Sequence, residues 1–422
     1  MNDFLERRGF ERRLEADLLD EADLFEQLGG HDLHLEEVLG RAAGIRRRRR
    51  TAGALVAAAA VAALVAPAGV LVAGHHDAAG PGPAVHPMAP ASTSASPAPT
   101  GVQKIADLAA MPVGPAPATG YLDRDVWHAP DGSTWQPPAV SGGVLGVARV
   151  GDAFLVDTPS EKLAEPTAML VQRDGTVVHH WPMSGGFAVS DDGAVIAFVK
   201  PDGTPVVVQD GGRAWHELPR IERGTGFQAV AVVGGDCKES ATSAGCSVFV
   251  NSTGQHPESW VSSSHGLIDR ASTDITSLTD VRADGTRAGV TSYDEKAMTT
   301  CSRVEAPDGS GWRTCRNQLG SFSPDGSRIL ARNAIGDGLG DTMLDVLDAR
   351  SGEPVVRYEV AAGGAITQVR WEDDAHVLAV VFDGRRWAIL RVGLDGRAEV
   401  AVPPVKVAGA DPTVSPFRLP AA

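Results

Sequence analysis

Two interleaved series of turns with a common spacing run from about Tyr121 to Val402, and they limit what the chain can fold into. The first series falls at Gly151, Gly193, Gly235, Gly285, Gly326 and Ala375, in steps of 42, 42, 50, 41 and 49 residues. The second falls at Gly132, Gly175, Gly212, Gly309, Gly352 and Gly396. Three residues after four of these stand Trp135, Trp215, Trp312 and Val355, an apolar side chain at one phase of a final strand. The runs between the turns are short and rich in Val, Ile and Leu, which is strand rather than helix patterning. A period of this length holds four short strands, the size of one blade of a β-propeller.

Six such units fit the chain, at 143–183, 185–221, 225–269, 275–318, 319–362 and 364–402. A hairpin from Asp125 to Ala139 is left over, in phase with the later strands of a blade. A ring has to close, since an open sheet edge invites unwanted pairing. The hairpin is therefore expected to join C-terminal residues in a seventh, composite blade; six blades with a decorating hairpin is the alternative. The segments FAVSDDGAVIAFVKPDGTPVVVQDGGRAWHELP (187–219) and SFSPDGSRIL (321–330) resemble the WD40-like and TolB-like propeller repeats of bacteria. That resemblance implies the fold over about 280 residues and no particular activity. The Gly-His and Trp-Asp dipeptides of eukaryotic WD40 repeats do not occur in these units.

Upstream of the repeats, Thr51 to Ala73 is a run of 23 residues without a charge. At 1.5 Å per residue such a helix spans roughly 30 Å of hydrocarbon. Arg46, Arg47, Arg48, Arg49 and Arg50 precede it, and no Lys or Arg follows until Lys104. The positive-inside rule then holds the arginines in the cytoplasm and exports the C-terminal side. A cleaved signal peptide has a shorter apolar core and far fewer than fifty residues before it. The sequence thus predicts an all-β propeller behind a single membrane helix and a short α-helical cytoplasmic segment. The expected domains are 1–45 cytoplasmic, 46–73 membrane helix with its arginines, 74–118 a Pro/Ala/Ser-rich linker, and 119–422 an extracytoplasmic propeller. The linker composition cannot bury enough apolar surface to offset its ordering entropy.

Residues 1–40 carry 4 Arg against 12 Asp and Glu, with Phe4, Leu14, Leu18, Phe25 and Leu28 near helical spacing. A short cytoplasmic helical segment, one membrane helix and an exported domain is the layout of transmembrane anti-sigma factors. Their zinc-binding kind uses His-x3-Cys-x2-Cys; His31 and His34 have no cysteine beside them, so only the layout is similar. The excess of Arg over Lys, 32 to 6, and the abundance of Ala are those of a high-GC, actinobacterial-type sequence.

From residue 74 onward the charge is 28 basic against 41 acidic side chains. A net of about −13 offers no basic footprint for nucleic acid. All four cysteines, Cys237, Cys246, Cys301 and Cys315, fall in the exported part. Three connectivities exist for four cysteines. The pairing Cys237–Cys246 and Cys301–Cys315 keeps each bridge inside one unit. The Asp-Gly pairs lack the Asp-x-Asp-x-Asp-Gly run of calcium loops and are turn chemistry. His179, His180, His216, His256, His265 and His376 form no metal-ligand spacing, and no Gly-x-Ser-x-Gly elbow occurs. No catalytic, cofactor or metal residues are therefore assigned. Most Trp sit at strand phases; Trp260, near a loop, is the candidate sugar platform. The expected role is binding or sensing of a protein, peptide or glycan on the outer face, with residues 1–45 able to meet a cytoplasmic protein. The alternatives are a propeller hydrolase of lactonase type and an envelope scaffold.

Overall fold

The computed structural model describes residues 101–138, 143–159, 166–238, 245–253, 257–294, 296–335, 340–406 and 415–421. The acidic segment 1–45, the run 46–73 with Arg46–Arg50, and the spacer as far as residue 100 lie outside the described residues.

Strand β1 (Val102–Ile105) comes first and joins a blade formed much later in the chain. Blade I holds β2 (Tyr121–Asp123), β3 (Val126–His128) and β4 (Thr134–Trp135). Blade II holds β5 (Gly146–Val150), β6 (Ala153–Thr158), β7 (Thr167–Gln172) and β8 (Val177–Pro182). Blade III holds β9 (Gly185–Val189), β10 (Ile196–Val199), β11 (Pro205–Gln209) and β12 (Ala214–Glu217). Blade IV holds β13 (Gln228–Val233), β14 (Ser247–Asn251), β15 (Ser259–Ser263) and β16 (Ile268–Arg270). Blade V holds β17 (Ser277–Val281), β18 (Arg287–Asp294), β19 (Thr299–Glu305) and β20 (Gly311–Thr314). Blade VI holds β21 (Asn317–Phe322), β22 (Arg328–Asn333), β23 (Met343–Asp348) and β24 (Pro354–Val360). Blade VII holds β25 (Ala365–Trp371), β26 (His376–Phe382), β27 (Arg386–Gly393) and β28 (Ala398–Lys406). Strand β29 (Phe417–Arg418) returns to blade I and pairs with β2 through Leu122↔Arg418 and Asp123↔Phe417. These seven antiparallel meanders make a seven-bladed propeller. Its first blade is composite, three strands from the front of the chain and one from the back, as the leftover hairpin required.

A blade is covered by a neighbour on each face, so its middle strands are buried on both sides. Their sequences are therefore continuous apolar runs instead of the alternation of a half-exposed sheet. In β26 six of seven residues are buried, and in β10 all four. Alternate side chains still serve different partners. Ile196 and Phe198 join the core between blades II and III, while Ala197 and Val199 join the core between III and IV. Seven apolar clusters occupy the seven interfaces in this way. Outermost strands meet solvent, and β12 alternates Ala214, Trp215, His216, Glu217 between half-buried and exposed. The second turn series closes into these outer strands: all six of its glycines have φ between 75° and 88°, the left-handed region where a Cβ is strained.

Both expected disulfides form, Cys237–Cys246 and Cys301–Cys315. The second lies in blade V, tying β19 to the residue after β20. Blade V gives Ala288, Val304 and the half-buried Trp312 to its interface with blade VI. Trp260 is not a platform: it sits on β15, 7% exposed, packed among Val248, Val250 and Ala229.

The linker read as running to residue 118 ends earlier. Residues 102–105 pair in parallel with the outer edge of blade VI, from Val102↔Arg357 to Ile105↔Val360. Ile105 and Leu108 are 2% and 1% exposed in the core between blades VI and VII. The strap then crosses blade VII, where the Gly114 amide donates to Val400 O and the Val400 amide to Pro112 O. Arg391, 8% exposed, binds Glu372 and Glu399 and donates to the carbonyls of Pro115 and Ala116. Glu372 also accepts the Ala118 amide. Composition misled here because Ile105, Leu108 and Met111 supply anchors that the Pro/Ala/Ser stretch before them lacks.

Candidate binding site

Strand direction alternates across each blade. The loops after first and third strands therefore lie on one face of the ring, and the loops after second and fourth strands on the other. The first face carries the Asp-Gly turns of both series. Their aspartates accept backbone amides two residues on, as Asp174 does from Thr176 and Asp284 from Thr286. The Ser310 hydroxyl and amide hold Asp308 below the ordinary carboxylate range; for Asp325 burial works the other way, and the Ser323 hydroxyl, the Ser327 amide and hydroxyl and Arg328 together outweigh it.

On this face a groove of about 650 Å³ opens between blades V and VI, within the size range of ligand pockets. Its floor is apolar: Val304, Trp312, Phe322 and Ala349. Trp312 is held by its Nε1–H, which donates to Ala349 O at 2.9 Å. Gly352 has to be glycine for this, since a Cβ there would stand 2.9 Å from the indole. On the opposite wall the Arg282 guanidinium lies over the Phe322 ring, 5.9 Å from its centroid, and donates to Gly326 O at 3.1 Å. A Cβ at residue 326 would collide with that guanidinium. The rim is polar. Burial works against the Asp348 carboxylate, but the Ser351 amide and hydroxyl, the Arg350 amide and Arg328 together hold its pKa below the ordinary value. Asp348 is thus an acceptor at neutral pH. Arg350 beside it is exposed and makes no ion pair among the described residues.

Ser310 and Ser327 each donate to the carboxylate of their own turn, Asp308 and Asp325, and so serve turn geometry. Among the described residues no three His, Cys, Asp or Glu stand together as a metal set. The side chains of the inner strands that are not fully buried include the uncharged Gln228, Val230, Thr279, Gln318, Ser321, Thr367 and Gln368 and the charged Arg149, Asp280 and Arg418. Arg370, also on an inner strand, donates to the carbonyls of Pro420 and Ala421, and burial lowers its pKa to about 10. It ties down the C-terminal residues of the composite blade. The histidines are dispersed: His179 stacks on Trp215 with centroids 5.1 Å apart, and His376 bonds Asp373. His256 and Arg46–Arg50 lie outside the described residues. The groove escaped sequence reading, although Gly309 and Gly352 are one repeat apart and Trp312 follows the first of them.

No protein-family description matches the chain, and no curated protein does. Among solved structures, the Cps50 (Swd1) β-propeller domain of Myceliophteria thermophila is 9% identical with a TM-score of 0.39, covering 62% of this chain and 86% of that one. The β-propeller domain of the trilobed protease of Pyrococcus furiosus is 10% identical with a TM-score of 0.40, over 63% and 85%. The dihydro-heme d1 dehydrogenase NirN is 12% identical with a TM-score of 0.40, over 72% and 78%. At this level the likeness extends to fold alone.

Proposed function

We propose that the chain is a membrane-anchored protein whose propeller is an extracytoplasmic binding and sensing module, with residues 1–45 as its cytoplasmic end. The observation that carries the binding role is the groove between blades V and VI, an apolar floor under an ionised and hydroxyl-bearing rim. A pocket of this make-up orients a small amphipathic ligand by a few polar contacts while the floor supplies affinity. The topology rests on the uncharged run 51–73 behind five arginines, and two disulfides suit an oxidising compartment.

Two measurements test this. Carbonate extraction should leave the full-length chain in the membrane fraction, with the propeller open to external protease; release as a soluble protein would remove the anchor. Arrays of short peptides and oligosaccharides, probed with the full-length chain, should give hits that Arg350→Glu weakens roughly tenfold. Hits indifferent to Arg350→Glu and to Trp312→Phe would remove the groove.

A further inference from the structure

The groove between blades V and VI also selects the charge of what fills it. Val304, Trp312, Phe322 and Ala349 form its floor. The one donor among those side chains, the Trp312 Nε1–H, is already taken by Ala349 O. The polar side chains around the floor are engaged as well. The Ser310 hydroxyl donates to Asp308 and the Ser327 hydroxyl to Asp325. The Thr286 amide and hydroxyl both bond Asp284. Asp284 lies 3.7 Å from the Arg282 guanidinium, which itself donates to Gly326 O and covers Phe322. Asp348 takes the Arg328 guanidinium at 2.6 Å, together with the Ser351 hydroxyl and the amides of Arg350 and Ser351.

Arg350 stands apart. It is exposed, and its guanidinium has neither an ion pair nor a hydrogen bond among the described residues. Both carboxylates that line the groove have a cation of their own, Asp284 with Arg282 and Asp348 with Arg328. Arg350 is the charge left over. The turn that carries it also fixes the indole: Ala349, just before it, accepts the Trp312 Nε1–H, and Gly352, two residues on, packs against the ring. An uncompensated guanidinium is thus rooted at the edge of the apolar floor. Its donors form a planar fork that matches a carboxylate. A ligand rich in hydroxyls would find the rim already engaged, and an amine would meet a cation.

Taking the groove as the binding site proposed above, we infer that its ligand is a small apolar carboxylic acid. The hydrocarbon body lies on Trp312, Phe322 and Val304, and the carboxylate pairs with Arg350.

The test is calorimetric titration of the full-length chain with three ligands of one shape: phenylbutyrate, phenylbutanol and phenylbutylamine. The acid is expected to bind roughly tenfold or more tightly than the other two. That margin should shrink as salt rises, because Arg350 is open to solvent. Arg350→Glu should reverse the order of acid and amine and leave the alcohol where it was. Trp312→Phe should weaken whichever ligands bind. Unchanged melting shows that the variants fold. Failure of the acid to bind, or binding no tighter than that of the alcohol and the amine, overturns the inference, as does an order that Arg350→Glu leaves unchanged. The groove itself stands or falls separately, on whether the binding of any of the three responds to Trp312→Phe.

Discussion

Single side chains bridge the blades where apolar contact is thin. Asp280 on β17 accepts the Phe322 amide of the next blade at 2.8 Å. Burial pushes its carboxyl up to about 6, against the Phe322 and Val281 amides, which favour the charged form. The raised value means that the folded state holds this proton between pH 4 and 6, where the unfolded chain has lost it. The residue thus opposes folding above pH 6, and that opposition fades as pH falls toward 4. Asp157, on β6, has its carboxyl raised to about 6 by burial and acts in the same direction. Asp280→Asn, which still accepts the amide, should raise stability at pH 8 by on the order of 2 kcal/mol and leave it unchanged near pH 4. Urea unfolding across that range checks it. Arg391→Ala tests the strap, because it leaves Glu372 and Glu399 facing each other without their cation. A loss of roughly 3 kcal/mol is expected, with new proteolysis within 101–118.

At the scale of elements, the Cys301–Cys315 disulfide adds to the apolar contacts that blade V makes with its two neighbours. Replacing Cys301 and Cys315 by Ser removes a loop closure worth ~3 kcal/mol in the chain-entropy model. Hydrogen exchange should then rise in β18–β20 before it rises in blades II and VII. The same elements show how far the sequence could be read. The six four-strand units were legible because each blade repeats the same turn chemistry at Gly175 or Gly309. Both bridges followed from keeping each within one unit. The strap was not legible, because a strand of four residues that pairs with Arg357–Val360 leaves no periodicity of its own. The groove was hidden for another reason: it is made by two neighbouring blades, and a single blade's sequence carries no record of its neighbour's loops.

For the whole molecule the decisive contact is the closure of blade I. Phe417 is fully buried beside Trp387, Ile389 and Leu378 of blade VII. Phe417→Ala should cost roughly 3–5 kcal/mol, and removal of residues 415–422 should leave a ring open between blades VII and II. Calorimetry would then show a broad, multistep transition in place of one cooperative peak.

The placement of β29 also sets a clock. Blade I is the first to leave the ribosome, yet it lacks its inner strand until residue 418 has been made. Six later blades can form meanwhile, but none can lock the circle. A polypeptide cut short anywhere before that point is left with an unfilled slot beside β2, so completeness is tested by the act of folding. A chain threaded through a narrow pore gains from the same delay, since it cannot tighten into a finished body while part of it is still in transit.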